Sequence, residues 1–201
     1  MNFLAHCVLA GDDPDLIAGA IAGDFVKGVI RDDEWPGRLA LGIRLHRRID
    51  AFSNDDPGLR TSAARLGPDL RRIAPPIIDV WADHLLAQRL VSGELAAPGG
   101  EPFETYADKL APVALLRNAA MPARCVEFLR HAERSRLFHD YATPERIERA
   151  ITHLCLRLGR EGEAPRVMDL IRAQRETLAT DFAAYWPRLR AEAARFLRAA
   201  A

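Results

Sequence analysis

The sequence predicts an all-α fold, a single-domain helical bundle of about eight or nine helices, and three observations carry that expectation. Alanine, leucine, arginine and glutamate recur at spacings of three and four, while valine and isoleucine never gather into the alternating runs of a half-buried strand. Aspartate–proline and proline–aspartate pairs stand where helices would open. At 201 residues the chain is shorter than the ~250–300 at which cores usually divide, and no repeat, low-complexity tract or linker interrupts 1–201.

The elements follow in order. Met1 to Ala10 is apolar but lacks a cationic flank and contains His6, so it reads as a buried helix and not as a signal peptide. Asp13-Pro14 caps and opens a second helix that runs toward Gly23. A third begins near Pro36 and carries Leu39, Ile43, His46, Ile49 and Asp50. Asp56-Pro57 opens a fourth. Pro68-Asp69 opens a fifth, whose register restarts near Ile77 after Pro75-Pro76 and continues to Val91. Ala97-Pro98-Gly99-Gly100 is a loop. Helices follow over 102–117, 122–139 and 144–158. In the last long segment Val167, Ile171, Leu178, Phe182, Tyr185 and Leu189 form one amphipathic stripe, with a kink expected at Pro187.

Composition excludes several function classes. Basic and acidic side chains balance at 28 each, which argues against non-specific nucleic-acid binding. The halves differ mildly, with 11 basic and 14 acidic residues in 1–100 against 17 and 14 in 101–201. No apolar run approaches the ~18 residues of a membrane span. Cys7, Cys125 and Cys155 are odd in number and far apart, so neither a zinc knuckle nor a disulfide framework is expected, and a reducing cytoplasm is the natural compartment.

The chemistry gathers in the first half. His6, Asp24, His46, Asp50, Asp79, Asp83 and His84 all interrupt apolar helical stretches. His46 and Asp50 are four apart and share a helix face, as do Asp79 and Asp83. Each has an ordinary structural explanation: a satisfied core histidine, a surface ion pair, a cap after Gly23, a solvated edge. Taken together they point elsewhere. Two carboxylates turned inward and a few ångströms apart repel by ~4 kcal/mol at an effective dielectric near 20. They must then be protonated, paired with cations or bound to metal. Mixed imidazole and carboxylate donors suit Mn²⁺, Fe²⁺, Zn²⁺ or Mg²⁺. Lys27, Arg47 and Arg48 beside these groups suggest an anionic substrate, phosphate first. No phosphate-binding loop, G-x-S-x-G elbow or H-E-x-x-H offers a competing site. His131, His139 and His153 read as surface residues.

Four segments carry a resemblance: Met1-Asn2-Phe3-Leu4-Ala5-His6, Gly23-Asp24-Phe25-Val26-Lys27-Gly28, Gly42 to Asp50 and Ala74 to Leu86. In register they resemble the acyl carrier protein phosphodiesterase family, an all-helical relative of the HD-type metal phosphohydrolases. The likeness covers the first ~90 residues. It implies an HD-phosphohydrolase-like bundle and a hydrolase that uses a divalent metal, Mn²⁺ first and Mg²⁺ or Fe²⁺ next. The implied reaction removes 4′-phosphopantetheine from holo-acyl carrier protein. Carried over residue by residue, it makes His6, Asp24, His46, Asp79, Asp83 and His84 candidate metal ligands, although Asp83-His84 reverses the usual HD order.

Asp24 or Asp50 would then orient the attacking water, and His84 would protonate the leaving serine. Arg47, Arg48 and Lys27 would hold the phosphate. The partner is an acidic carrier protein, neither nucleic acid nor membrane, and Arg117, Arg124, Arg130, Arg134 and Arg136 form a candidate docking patch. Two other readings stand beside this one. One is an HD-type enzyme for a small phosphoester or nucleotide. The other is a non-catalytic carrier-binding helical protein whose acids and imidazoles merely pair.

Overall fold

The computed structural model describes residues 3–200, the side chain of Asp32 excepted, so Met1 and Asn2 of the first motif lie outside the described residues. These residues form eleven α-helices and no strand: α1 Phe3–Ala10, α2 Pro14–Ala22, α3 Leu39–Asp55, α4 Pro57–Ala64, α5 Ala74–Val91, α6 Phe103–Leu115, α7 Ala123–Ser135, α8 Leu137–Asp140, α9 Pro144–Arg157, α10 Ala164–Ala173 and α11 Arg175–Ala199. The all-α expectation holds, and the count exceeds nine because two expected elements divide. The 122–139 segment breaks at Arg136, which adopts the left-handed conformation at φ 54°. The C-terminal segment breaks at Gln174 (φ −113°, ψ 14°), whose Nε2 donates to the Arg65 carbonyl at 2.8 Å.

Local chemistry sets most boundaries. Asp13 Oδ1 accepts from the Asp15 and Leu16 amides at 2.9 and 3.2 Å and starts α2, with Pro14 at its first position. Asp56 does the same for α4, accepting from Gly58 and Leu59 at 2.8 and 3.1 Å. Pro75 and Pro76 sit in the first turn of α5, where a missing N–H costs no helical bond. The helix therefore starts at Ala74 without a restart at Ile77, and Pro68–Leu70 is a separate 3₁₀ turn. The third helix starts at Leu39, three residues beyond the position expected from Pro36.

Two glycines decide how the first half packs. A Cβ on Gly19 would lie 2.4 Å from the Leu39 carbonyl oxygen, and one on Gly42 would lie 2.7 Å from that of Leu16. Helices α2 and α3 thus cross backbone to backbone, and α1 lies against both and against α5. Leu4, Ile17, Ile21, Leu39, Ile43, Leu45 and Ile49 are fully buried in the resulting core. The C-terminal helix closes the other side of α3. Tyr185 Oη and Ser53 Oγ meet at 2.6 Å in the interior, and Arg188 Nη1 reaches Asp56 Oδ2 at 2.7 Å.

Candidate functional site

The tight α2–α3 crossing aims His46 back at α2. Its Nδ1 stands 2.7 Å from the Ala20 carbonyl oxygen. A carbonyl only accepts, so Nδ1 carries the hydrogen and Nε2 points the other way. Gly23 makes room for the ring: a Cβ there would fall 2.3 Å from His46 Cγ.

Around His46 Nε2 three further side chains converge. Asp50, one turn along α3, places Oδ2 3.2 Å away. Asp24, just beyond α2, places Oδ1 at 3.6 Å. His6 arrives from α1 and stacks its ring on His46, centroids 3.9 Å apart and planes at 14°. His6 Nε2 lies 3.2 Å from Asp50 Oδ1, near in distance but off the direction of a hydrogen bond, and both His6 ring nitrogens are buried without a hydrogen-bond partner. The donor atoms of His6, His46 and Asp50 all fall within 4.8 Å of one another.

The electrostatics follow from this layout. Burial pushes the His6 imidazole down to about 4, against the pull of Asp50. Burial also opposes charge on His46, but its contacts with Asp24 and Asp50 outweigh that and raise it to about 9. Burial acts to raise Asp50 and Asp24, and the facing imidazoles overcome it, so both carboxyls are held below their ordinary range.

Among the residues singled out from sequence, His6, Asp24, His46 and Asp50 come together. The rest are placed otherwise. Asp83, fully buried on α5, takes no part in that group: its Oδ2 accepts from the Leu4 amide at 2.7 Å and from the Ala5 amide at 3.4 Å, bridging α5 to the first turn of α1. Burial raises its carboxyl to about 7, against those two backbone bonds. His84 points its Nδ1 at the Tyr141 carbonyl, 2.7 Å away, and packs on Trp81. Burial keeps it below the ordinary histidine range. Asp79 is half-buried on α5 and lines an open groove that Asp24 also borders.

The cations are redirected as well. Arg47 does not face the cluster. Its guanidinium donates to the Gly28 and Val26 carbonyls at 2.7 and 3.1 Å, while Arg44 donates to Ile30 at 3.0 Å. These two arginines pin the loop that follows Asp24. Arg48 leaves on the opposite face and pairs with Glu192 of α11. Lys27 remains exposed on the pinned loop, three residues from Asp24. In the suggested docking patch Arg117 is tied to Asp15 at 2.5 Å and Arg136 to Asp108 at 3.1 Å. Arg124, Arg130 and Arg134 are exposed without an acidic partner among the described residues.

Sequence reasoning missed the pinning arginine Arg44 and the partner of His139, whose Nε2 lies 2.7 Å from Asp108 Oδ1. It also left the groove wall on α7 and α9 unassigned, although His131 and His153 both line it. The alternation of Arg146, Ala150, His153 and Arg157 at spacings of 4, 3 and 4 was the available signal.

The arrangement suits a divalent ion. Two buried imidazoles and a half-buried carboxylate bring their donor atoms together, the hydrogen on His46 Nδ1 is held by a carbonyl, and neither His6 ring nitrogen is committed to an aligned hydrogen bond. Among the described residues no helix is long and apolar enough to cross a membrane.

Comparison with known proteins is consistent in direction. The family model described as acyl carrier protein phosphodiesterase matches residues 1–189. A Yersinia pestis protein named acyl carrier protein phosphodiesterase is 30% identical over 173 residues, covering 85% of this chain and 76% of its own. A Klebsiella pneumoniae protein of that name is 31% identical over 157 residues, covering 78% and 79%. An Escherichia coli protein of that name is 36% identical over 88 residues, 44% of this chain and 45% of its own. No solved structure gives a significant match.

Proposed function

The chain belongs to the acyl carrier protein phosphodiesterase family, and on that premise we propose that it hydrolyses the phosphodiester joining 4′-phosphopantetheine to the serine of holo-acyl carrier protein. Water adds to phosphorus, the bond to the serine oxygen breaks, that oxygen takes up a proton, and apo-carrier protein and 4′-phosphopantetheine leave. The observation that carries this reading is the convergence of His6, His46 and Asp50, with both His6 nitrogens buried and without an aligned hydrogen bond. A divalent ion held by these donors would meet the buried His6 nitrogen that faces them, and a buried nitrogen costs ~1–3 kcal/mol while no aligned hydrogen bond satisfies it.

We assign His6, His46 and Asp50 as the residues that would hold a divalent ion, with Mn²⁺ the first choice and Asp24 beside them. When bound, the ion supplies Lewis acidity and a water ionised near neutral pH. The chain's own groups do the rest. Asp24 is 51% exposed and kept ionised by His46, so it can accept a hydrogen bond from the attacking water and orient it. Of the three cations named from sequence, Lys27 is the one left to face the phosphate oxygens, since Arg47 and Arg48 are engaged elsewhere. Ala20 fixes the His46 tautomer through its carbonyl. Asp83 acts at one remove, by anchoring the first turn of α1 on which His6 rides.

The test is incubation with holo-acyl carrier protein and Mn²⁺, with and without chelator, read by intact mass. A mass loss equal to the phosphopantetheine arm, abolished by chelator and restored by Mn²⁺, is the expected result. An unchanged carrier mass under all three conditions overturns the reading.

A further inference from the structure

The Asp24 carboxylate has two sides. One faces His46; the other borders an open groove of about 830 Å³. That volume lies in the ~300–1,000 Å³ range of small-molecule sites. We infer that this groove is the berth of the pantetheine portion of the substrate, running from Asp24 along α7 to the exposed face of α9. The inference rests on the phosphopantetheine reading above and adds where the arm lies and which residues select it.

Three half-buried phenyl rings from separate parts of the chain form the groove floor. Phe128 of α7 stacks on Phe3 of α1 with centroids 4.5 Å apart, and Phe25 lies 5.5 Å from Phe128 and 6.5 Å from Phe3. Aromatic faces gathered beside a polar cluster and left part-open to solvent are the kind of apolar patch that marks a ligand site. The far wall is one stripe of α9, where Ala150 and His153 face the groove. Ala150 is exposed and small, so the wall is open at its middle.

The occupant must satisfy three conditions at once. It must begin at a phosphorus beside Asp24, lay apolar surface on the phenyl rings, and carry neutral polar groups past the mixed rim. Asp24 and Asp79 in the lining disfavour a second anion beside them, and Arg146 and Arg157 of α9 are cations of the same lining. A branched dimethyl group followed by two amides meets all three, which is the chemistry of the pantetheine chain. Phe3 and Phe25 flank His6 and Asp24 by three residues and one, so the floor and the reactive cluster are built from the same two segments.

The experiment compares wild type with Ala150→Trp, a substitution at an exposed position that fills the groove without touching the core, and with Phe128→Leu, which keeps bulk but removes the ring face. Turnover of holo-carrier protein is read as kcat/KM, with apo-carrier protein as competitive inhibitor. In parallel, D-pantetheine is titrated into ¹⁵N-labelled protein. The expected result is a fall in kcat/KM of about tenfold or more for Ala150→Trp, equivalent to ~1.4 kcal/mol, an unchanged inhibition constant for apo-carrier protein, and pantetheine-dependent shifts at the α9 and Phe128 amides that the tryptophan abolishes. Phe128→Leu lowers kcat/KM by a smaller factor. If wild type releases the arm and Ala150→Trp releases it equally fast, the groove assignment is overturned while the function stands. If wild type releases nothing yet pantetheine binds and the tryptophan blocks it, the groove stands and the function falls.

Discussion

His6 and His46 stack face to face at 3.9 Å, the first ring drawn from α1 and the second from α3. Charge on both rings at that spacing is disfavoured, and the surroundings favour His46 as the ring that carries the extra proton. Two carboxylates face His46, whereas His6 is the more deeply buried ring and has one poorly aligned carboxylate.

The first prediction is a split titration. In metal-free protein the two ring signals should titrate far apart, His46 near 9 and His6 near 4. The stabilisation from His46 pairing is complete below 6.5 and lost as pH rises toward 9. The stabilisation from a neutral His6 is complete above 6.5 and lost as pH falls through about 4. Proton NMR of the Hε1 resonances checks this, and coincident midpoints near 6.5 would contradict it.

Replacing Asp50 by asparagine removes the anionic donor between the two rings. Turnover should fall by about 10²-fold or more, Mn²⁺ binding measured by calorimetry should weaken, and helicity by circular dichroism should persist. A variant that binds Mn²⁺ as tightly as wild type would remove Asp50 from the ligand set.

Gly23→Ala tests the packing behind the site. The added methyl falls 2.3 Å from His46 Cγ, so the ring must shift or the α2 terminus must move. Misplacement of a reacting group by ~1 Å can cost about 10²-fold, so kcat should drop although no ligand has changed. Gly28→Ala, where a Cβ meets open space but φ is +82°, should affect the loop and not the His46 ring signal.

Arg47→Lys keeps the charge and loses the fork that reaches two carbonyls at once. The loop over 24–30 should become more susceptible to limited proteolysis, and KM should rise more than kcat falls. An unchanged cleavage pattern would show that Arg44 alone suffices.

Asp83 gives a pH dependence of stability with a definite sign. Its carboxyl is raised to about 7, so the folded state holds a proton that the unfolded state releases near 3.8, and stability declines as pH climbs between those values. Asp83→Asn retains an acceptor for the Leu4 amide and removes the charge. In urea titrations the variant should gain ~1–3 kcal/mol relative to wild type between pH 5 and pH 8. A constant difference would mean that Asp83 is ionised throughout.

Much of this was legible in the chain itself. The i, i+4 pairing of His46 and Asp50, the helical periodicity and the Asp-Pro helix starts are local signals, and the structure preserves them. What escaped was long-range. Asp83 looks in the sequence like a buried acid in need of a cation, but the amides of a helix 78 and 79 residues away serve instead. Arg47 reads as a phosphate ligand beside His46, yet successive helical residues diverge by about a quarter turn or more, and its reach ends on loop carbonyls. The division at Arg136 depends on a non-glycine residue taking a left-handed conformation, which composition alone gives no reason to expect.

The contact of Gly19 with Gly42 carries a consequence for how this protein tolerates change. With the two helix backbones already touching, a single methyl at either position has no room unless α2 and α3 move apart, and the chain segments that carry Asp24 and His46 move with them. In a mutational scan these two positions would score as inactivating although neither lies in the site. Architecture and chemistry therefore share one point of fragility.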